Sequence, residues 1–327
     1  MLQTTLGRLR LDNPVLSASG TFGSGWEGRQ FSDLGKVGGL VSKTVTLRPR
    51  PGNPPPRIHE TPAGMRNSIG LENRGVDKFV AETLPKMKQL AAAGRADGRD
   101  GPRIVINIGG ESIDEFVQLA ERFSAAGVDA LEVNLSCPNV QEGKLFFSTE
   151  PRLTERAVRA VKRVATVPVF AKLSPNVTDV TVIARAAAEG GADGITAINT
   201  LIGMAIDWRR RRPVLARGIG GLSGPAIKPV ALRMVHDIAR SVDLPIMAVG
   251  GAHSPDCVLE FVCAGASAVQ IGTAVFTDPA LMVRVVDELG DRLRRAGTTI
   301  AELRGSCHGR DAAAPAIGAP ALGEVSP

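Results

Sequence analysis

The sequence predicts a parallel (β/α)8 TIM barrel, an α/β fold, with an N-terminal hairpin and long insertions at strand ends. Three observations carry this. Eight short apolar segments rich in β-branched residues recur along the 327 residues, as strands buried on both faces do. Amphipathic stretches of helical period separate most of them. Four of the strands are introduced by a related phrase: GKVGGLVSKT, AAGVDALEVN, EGGADGITAI and CAGASAVQIG. In each, a helix ends near Gly and a short loop feeds a continuous apolar run. A doubly wound open sheet is the alternative, but it predicts fewer strands and an early GxGxxG, which is missing.

In chain order, the strands are expected at Val15 to Ala18, Gly39 to Thr44, Ile104 to Ile108, Ala130 to Leu135, Val169 to Leu173, Gly194 to Ile198, Ile246 to Val249 and Ala268 to Ile271. Helices are expected at Val76 to Ala92, Ile113 to Ala126, Leu153 to Ala165, Val177 to Glu189, Ala226 to Ser241, Pro255 to Ala264 and Pro279 to Arg294. Residues 2 to 12 alternate as a hairpin that could plug the barrel bottom. Residues 45 to 75 and 200 to 225 break the period as long loops, which in a compact barrel are usually functional. Residues 1 to 310 read as one domain, and the Ala/Pro/Gly-rich stretch 311 to 327 reads as a disordered tail.

Composition narrows the function. Aromatic residues make up 4% and Tyr is absent, so a stacking platform for single-stranded nucleic acid is not expected. The net charge of +6 includes the run Arg209 to Arg212, which is either a solvated basic loop or a contact for an anionic partner. No apolar run approaches the roughly 20 residues needed to span a bilayer, and no signal peptide opens the chain. Cys137, Cys257, Cys263 and Cys307 form no CxxC pair and no His/Cys metal spacing. Neither a zinc site nor a cysteine-ligated iron–sulfur cluster is therefore expected. Scattered thiols suit a reducing cytoplasm.

Barrel chemistry gathers at the C-terminal ends of the strands. Those ends carry Ser17 to Gly20, Lys43-Thr44, Asn107, Asn134 with Cys137, Lys172, Asn199-Thr200, Gly250-Gly251 and Gly272-Thr273. A thiol there is either an inert buried Cys or a base that works when partly ionised. Lys43 and Lys172 either pair with a buried carboxylate, for which Glu132 is a partner, or face an anion or developing negative charge. No Asp or Glu occupies the strand ends themselves. The Gly pairs after the last two strands, with Gly224 before a helix, offer bare backbone to a phosphate. A phosphate cradle, a cationic floor, amides for a planar heterocycle and a thiol base together suggest a flavin mononucleotide and a small cyclic substrate.

The segments LSASGTFGSGWE, SKTVTLRPRPGNPPPRI, NSIGLEN, VNLSCPN, AKLSPNV, AINTLIGMAIDW, GGLSGPAIKPVALRMV and IMAVGGA resemble, in order, those of the dihydroorotate dehydrogenases. The resemblance implies an FMN enzyme that oxidises (S)-dihydroorotate to orotate in pyrimidine biosynthesis. It implies that Cys137 removes the C5 proton while hydride passes from C6 to flavin N5. Class 2 members use Ser there and carry an N-terminal membrane-associating extension, so the Cys implies class 1. The resemblance places substrate against Lys43, Asn67, Ile69, Gly70, Leu71, Asn134, Asn139, Asn199 and Thr200. It places flavin against Ala18, Ser19, Lys43, Thr44, Asn107, Asn134, Lys172, Gly224, Gly250, Gly251, Gly272 and Thr273, with Lys172 stabilising the reduced ring. IDWRRRRPVLARGIGGLSGPAIKP resembles the NAD-linked 1B type more than the fumarate-linked 1A type. Type 1B implies a homodimer or a heterotetramer with a second subunit holding FAD and [2Fe–2S]. A flavoprotein similar to tRNA dihydrouridine synthases is a further alternative, disfavoured by the lack of an RNA-binding domain. A Schiff-base aldolase using Lys172 leaves Cys137 and the amides without a task.

Overall fold

A computed structural model of the chain describes residues 1–96, 98–135 and 147–309. Eight parallel strands close into a barrel in the order Val15–Ser17, Gly39–Val41, Arg103–Ile108, Ala130–Asn134, Val169–Lys172, Gly194–Ala197, Ile246–Val249 and Ala268–Ile271, the last pairing with the first. All eight expected strands are present. The second is shorter than expected because pairing breaks at Lys43, whose N–H donates to Gly23 O, and resumes with the next strand only at Val45, whose N–H donates to Asn107 O. That departure carries Lys43 and Thr44 to the rim.

The expected helices are all present, with ends set by local caps. Ser112 accepts from Glu115 N–H and starts Ile113–Ala125. Asp179 accepts from Thr181 N–H, so the following helix begins at Val180 rather than Val177. Each cap satisfies an N–H that the first helical turn leaves without a partner. The segment from Gly75 runs on to Ala96 through a π-helical turn at Phe79–Thr83.

Alternation along the strands sorts the barrel interior into layers. At the bottom, Val105, Ala130, Phe170 and Ala268 pack with Leu6, Leu9 and Leu11 in one buried apolar cluster. Those leucines belong to the antiparallel hairpin Thr4–Leu6 and Leu9–Leu11, which seals that end. One pleat higher, the apolar layer gives way to buried Asn107, Glu132, Thr196 and Gln270. One pleat higher again stand Asn134, Lys172 and Gly272, which line the mouth.

The two long insertions are not simple loops. Ile58–Thr61, Gly64–Asn67, Leu201–Met204 and Ile219–Ser223 form a four-stranded antiparallel sheet in the order Leu201–Met204, Ile219–Ser223, Gly64–Asn67, Ile58–Thr61. Ile206–Asp207 and Arg212–Pro213 form a further short ribbon. Short strands in polar, Gly-rich sequence give little periodic signal, and their partners lie far away in the chain. Among the described residues, no helix is long and apolar enough to cross a membrane.

Candidate active site

A cavity of about 370 Å³ opens at the C-terminal mouth of the barrel, with insertion-sheet residues completing its wall. Within the described residues, the expected site residues line it: Ala18, Ser19, Lys43, Thr44, Asn67, Ile69, Gly70, Leu71, Asn134, Lys172, Asn199, Thr200, Gly224, Gly250, Gly251, Gly272 and Thr273. Asn107 is not on the cavity wall. It is fully buried in the layer beneath, where its Nδ2 donates to Glu132 Oε1 at 2.6 Å. Cys137 and Asn139 lie outside the described residues, as does the tail expected at 311 to 327.

The cavity floor is a buried ionic network. Lys172 Nζ lies 3.2 Å from Glu132 Oε1, with the two side chains 7% and 0% exposed. Gln270 Nε2 donates to Glu132 Oε2 at 2.6 Å. Burial by itself pushes the Glu132 carboxyl up, but the Lys172 ammonium and the amide donors outweigh it and hold the group below its ordinary value. Glu132 is therefore an anion at neutral pH. Glu132, the carboxylate partner the sequence offered, pairs with Lys172 from one pleat below the strand ends. Lys172 is thus paired from beneath and also lines the cavity.

Lys43 is less enclosed. Burial lowers its pKa most; Glu72 pulls it back up and Arg57 lowers it further, leaving it below the usual lysine range. Arg57 and Glu72 form an ion pair with each other and both line the cavity. Sequence reasoning passed over them because they sit in the insertion, with no strand parity to orient them. The segment that carries Glu72 turns sharply. Gly70 and Leu71 have φ of 78° and 56°, and a Cβ at Gly70 would come within 2.8 Å of Asn53 N. Leu71 adopts the left-handed region without glycine's freedom, a strain that clusters at ligand sites.

Amides form a second group. Asn199 Nδ2 donates to Asn134 Oδ1 at 3.2 Å, and Thr200 N–H donates to Asn199 Oδ1 at 2.8 Å. Asn134 Nδ2 reaches Thr44 Oγ1 at 3.4 Å. These bonds fix the amide orientations before any ligand binds.

Bare backbone from three loops meets on the side of the last two barrel strands. A Cβ at Gly251 would lie 2.8 Å from Gly224 O and 2.9 Å from Lys228 N, and one at Gly224 would lie 3.5 Å from Thr273 Cγ2. Thr273 Oγ1 donates to Ser223 Oγ at 2.8 Å and ties two of the loops together. Side chains are thus excluded where polar backbone borders the cavity, which suits a phosphate group.

The family model for dihydroorotate dehydrogenase matches residues 1–293. A protein of Alkaliphilus metalliredigens named dihydroorotate dehydrogenase B (NAD(+)), catalytic subunit, is 45% identical over 306 residues, covering 93% of this chain and 98% of the relative. Proteins of the same name from a Geobacter species and from Anoxybacillus flavithermus are 47% and 48% identical, covering 88% and 90% of this chain and 92% of each relative. Such identity over nearly the whole length, with a family model covering residues 1–293, means that this chain belongs to the dihydroorotate dehydrogenase family.

Proposed function

We propose that the chain is the catalytic subunit of an NAD-linked dihydroorotate dehydrogenase, which binds FMN and oxidises (S)-dihydroorotate to orotate in pyrimidine biosynthesis. The observation that carries this reading is one cavity joining a side-chain-free backbone cradle to two lysines and an amide cluster. The cradle at Gly224, Gly251 and Thr273 suits the flavin phosphate, while Ala18, Ser19 and Thr44 line the cavity nearer the first two strands. FMN, when bound, supplies a hydride acceptor for the dihydropyrimidine ring.

The remaining work belongs to this chain's own side chains. Asn134 and Asn199, fixed by their mutual bond, and Asn67 on the cavity wall present amide donors and acceptors to the imide edge of a pyrimidine, orienting its reactive carbons. Lys43 offers a cation to the substrate carboxylate. Lys172 sets a fixed positive charge on the wall where negative charge gathers, and Glu132 beneath keeps that ammonium in place. Cys137, which follows Asn134 closely in the sequence, acts as the base at C5.

A partner subunit carrying FAD and a [2Fe–2S] cluster is part of the same proposal. The insertion sheet and the short ribbon that follows Met204 expose Ile202, Met204, Ile206, Trp208 and Ile219 to solvent, more apolar surface than isolated surface residues explain. The adjoining Arg209 to Arg212 run would suit an acidic rim. The test is anaerobic reduction. Dihydroorotate should bleach the flavin band of the purified chain, and NAD should restore it only after the partner is added. Rapid reoxidation of the isolated chain by fumarate would overturn the NAD-linked reading, and an unbleached flavin would overturn the reaction itself.

The lowered Lys43 pKa has a kinetic signature. Binding of the anionic substrate should weaken as pH rises through the Lys43 titration, earlier than for an ordinary lysine at 10.5. KM should climb on that limb, whereas Lys43→Met should show a raised KM without it. A Lys43→Met profile that keeps the same limb would assign the titration to another group.

A further inference from the structure

We propose that His236, Cys307 and His308 form a binding site for a thiophilic divalent metal of the zinc type, on the outside of the barrel and remote in sequence from the catalytic residues. One ligand atom from each of the three lies within 4.8 Å of the others. His236 sits in the last turn of Lys228–Ala239, and Cys307 and His308 in the short turn Ser306–His308. The spacing rules that look for CxxC or HxxxH miss the group, since its members meet only through the fold.

The orientation of His308 is the strongest argument. Its Nε2 lies 2.9 Å from the carbonyl oxygen of Ala264. A carbonyl can only accept, so the ring proton belongs on Nε2 and Nδ1 keeps a lone pair. That Nδ1 is buried and has no hydrogen-bond partner among the described residues. A buried acceptor without a partner is costly, and a metal ion would satisfy it. Donation of the second ring nitrogen to a backbone carbonyl is the arrangement that fixes the tautomer of metal-bound histidines. His236 shows the related arrangement, with Nδ1 3.5 Å from the Asp237 carboxylate, which leaves Nε2 as its lone-pair nitrogen.

The turn bearing Cys307 and His308 is also held ready. Gly305 N–H donates to Val262 O at 3.0 Å and His308 N–H to Gly305 O at 2.9 Å. The His308 ring stacks on His236 with centroids 4.6 Å apart and 20° between planes, which brings the two rings together, and one ring must turn about its Cβ–Cγ bond for both in-plane lone pairs to meet at one ion. Gly265 allows this approach, because a Cβ there would lie 3.1 Å from His308 Nε2. Cys307 is exposed and free, so ligand exchange is unhindered. Three protein ligands leave a fourth position for water or a further donor. A metal bound by the three would pin the end of the described chain to the helix Lys228–Ala239. It stabilises the fold by mass action and takes no part in the redox chemistry.

The test uses the flavin-loaded protein stripped of metal and titrated with zinc chloride under reducing conditions. One zinc per chain should bind, raise Tm, and give an X-ray absorption spectrum with sulfur and imidazole ligands. Cys307→Ser and His236→Gln should each weaken binding by about 100-fold or more, whereas Cys137→Ala should leave it unchanged. Absence of saturable binding, a ligand shell without sulfur, or zinc lost in Cys137→Ala and retained in Cys307→Ser would overturn the proposal.

Discussion

Lys172→Met should destabilise the protein by about 3–5 kcal/mol, because it strands the fully buried Glu132 carboxylate without its counter-ion. The pH dependence should identify the cause. In the parent protein the Glu132 pKa is held below its unfolded value, so its contribution is present above the unfolded pKa and is lost as pH falls toward the folded one. Without Lys172, burial dominates and moves the carboxyl above its unfolded value. The folded state then binds the extra proton, and stability should fall as pH rises through that window. Denaturant titrations from acid to neutral pH would reveal this reversed slope. Lys172→Met/Glu132→Gln should recover most of the loss, since a neutral amide can still accept from Asn107. If the double variant were no more stable than Lys172→Met, the ion pair would not be what holds the floor together.

Cys137→Ala should lower kcat for dihydroorotate oxidation by about 10²- to 10⁴-fold, the range that general-base catalysis contributes. Flavin content should be unaffected, because the cradle at Gly224, Gly251 and Thr273 is built from other loops. Cys137→Ser should keep partial activity that improves as pH is raised, a hydroxyl being a poorer base than a thiol. Turnover by Cys137→Ala equal to the parent would remove this residue from the mechanism.

The barrel strands were legible because burial on both faces writes each as an unbroken apolar run, and boundaries such as Ile246–Val249 follow directly. The rim residues were legible because they follow those runs. Polar groups inside the runs were harder to place. Glu132 reads as an interruption of an apolar strand, and only the inward parity it shares with Ala130 and Asn134 shows that it supports Lys172 from below. The same parity assigns Asn107 to the buried layer, one pleat from where the sequence put it. Arg57 and Glu72 had no such guide, since the insertion that holds them becomes a sheet only by pairing with residues 201–223. His236 with Cys307 and His308 shows the same limit on the outer surface: neighbours made by helix packing leave no spacing to read.

The antiparallel sheet at the barrel mouth draws two of its strands from the first quarter of the polypeptide and two from beyond its midpoint. A nascent chain emerging from the ribosome thus holds a hairpin whose Gly64–Asn67 edge has no partner until Ile219–Ser223 arrives. Prosthetic-group capture must wait for that late, long-range closure.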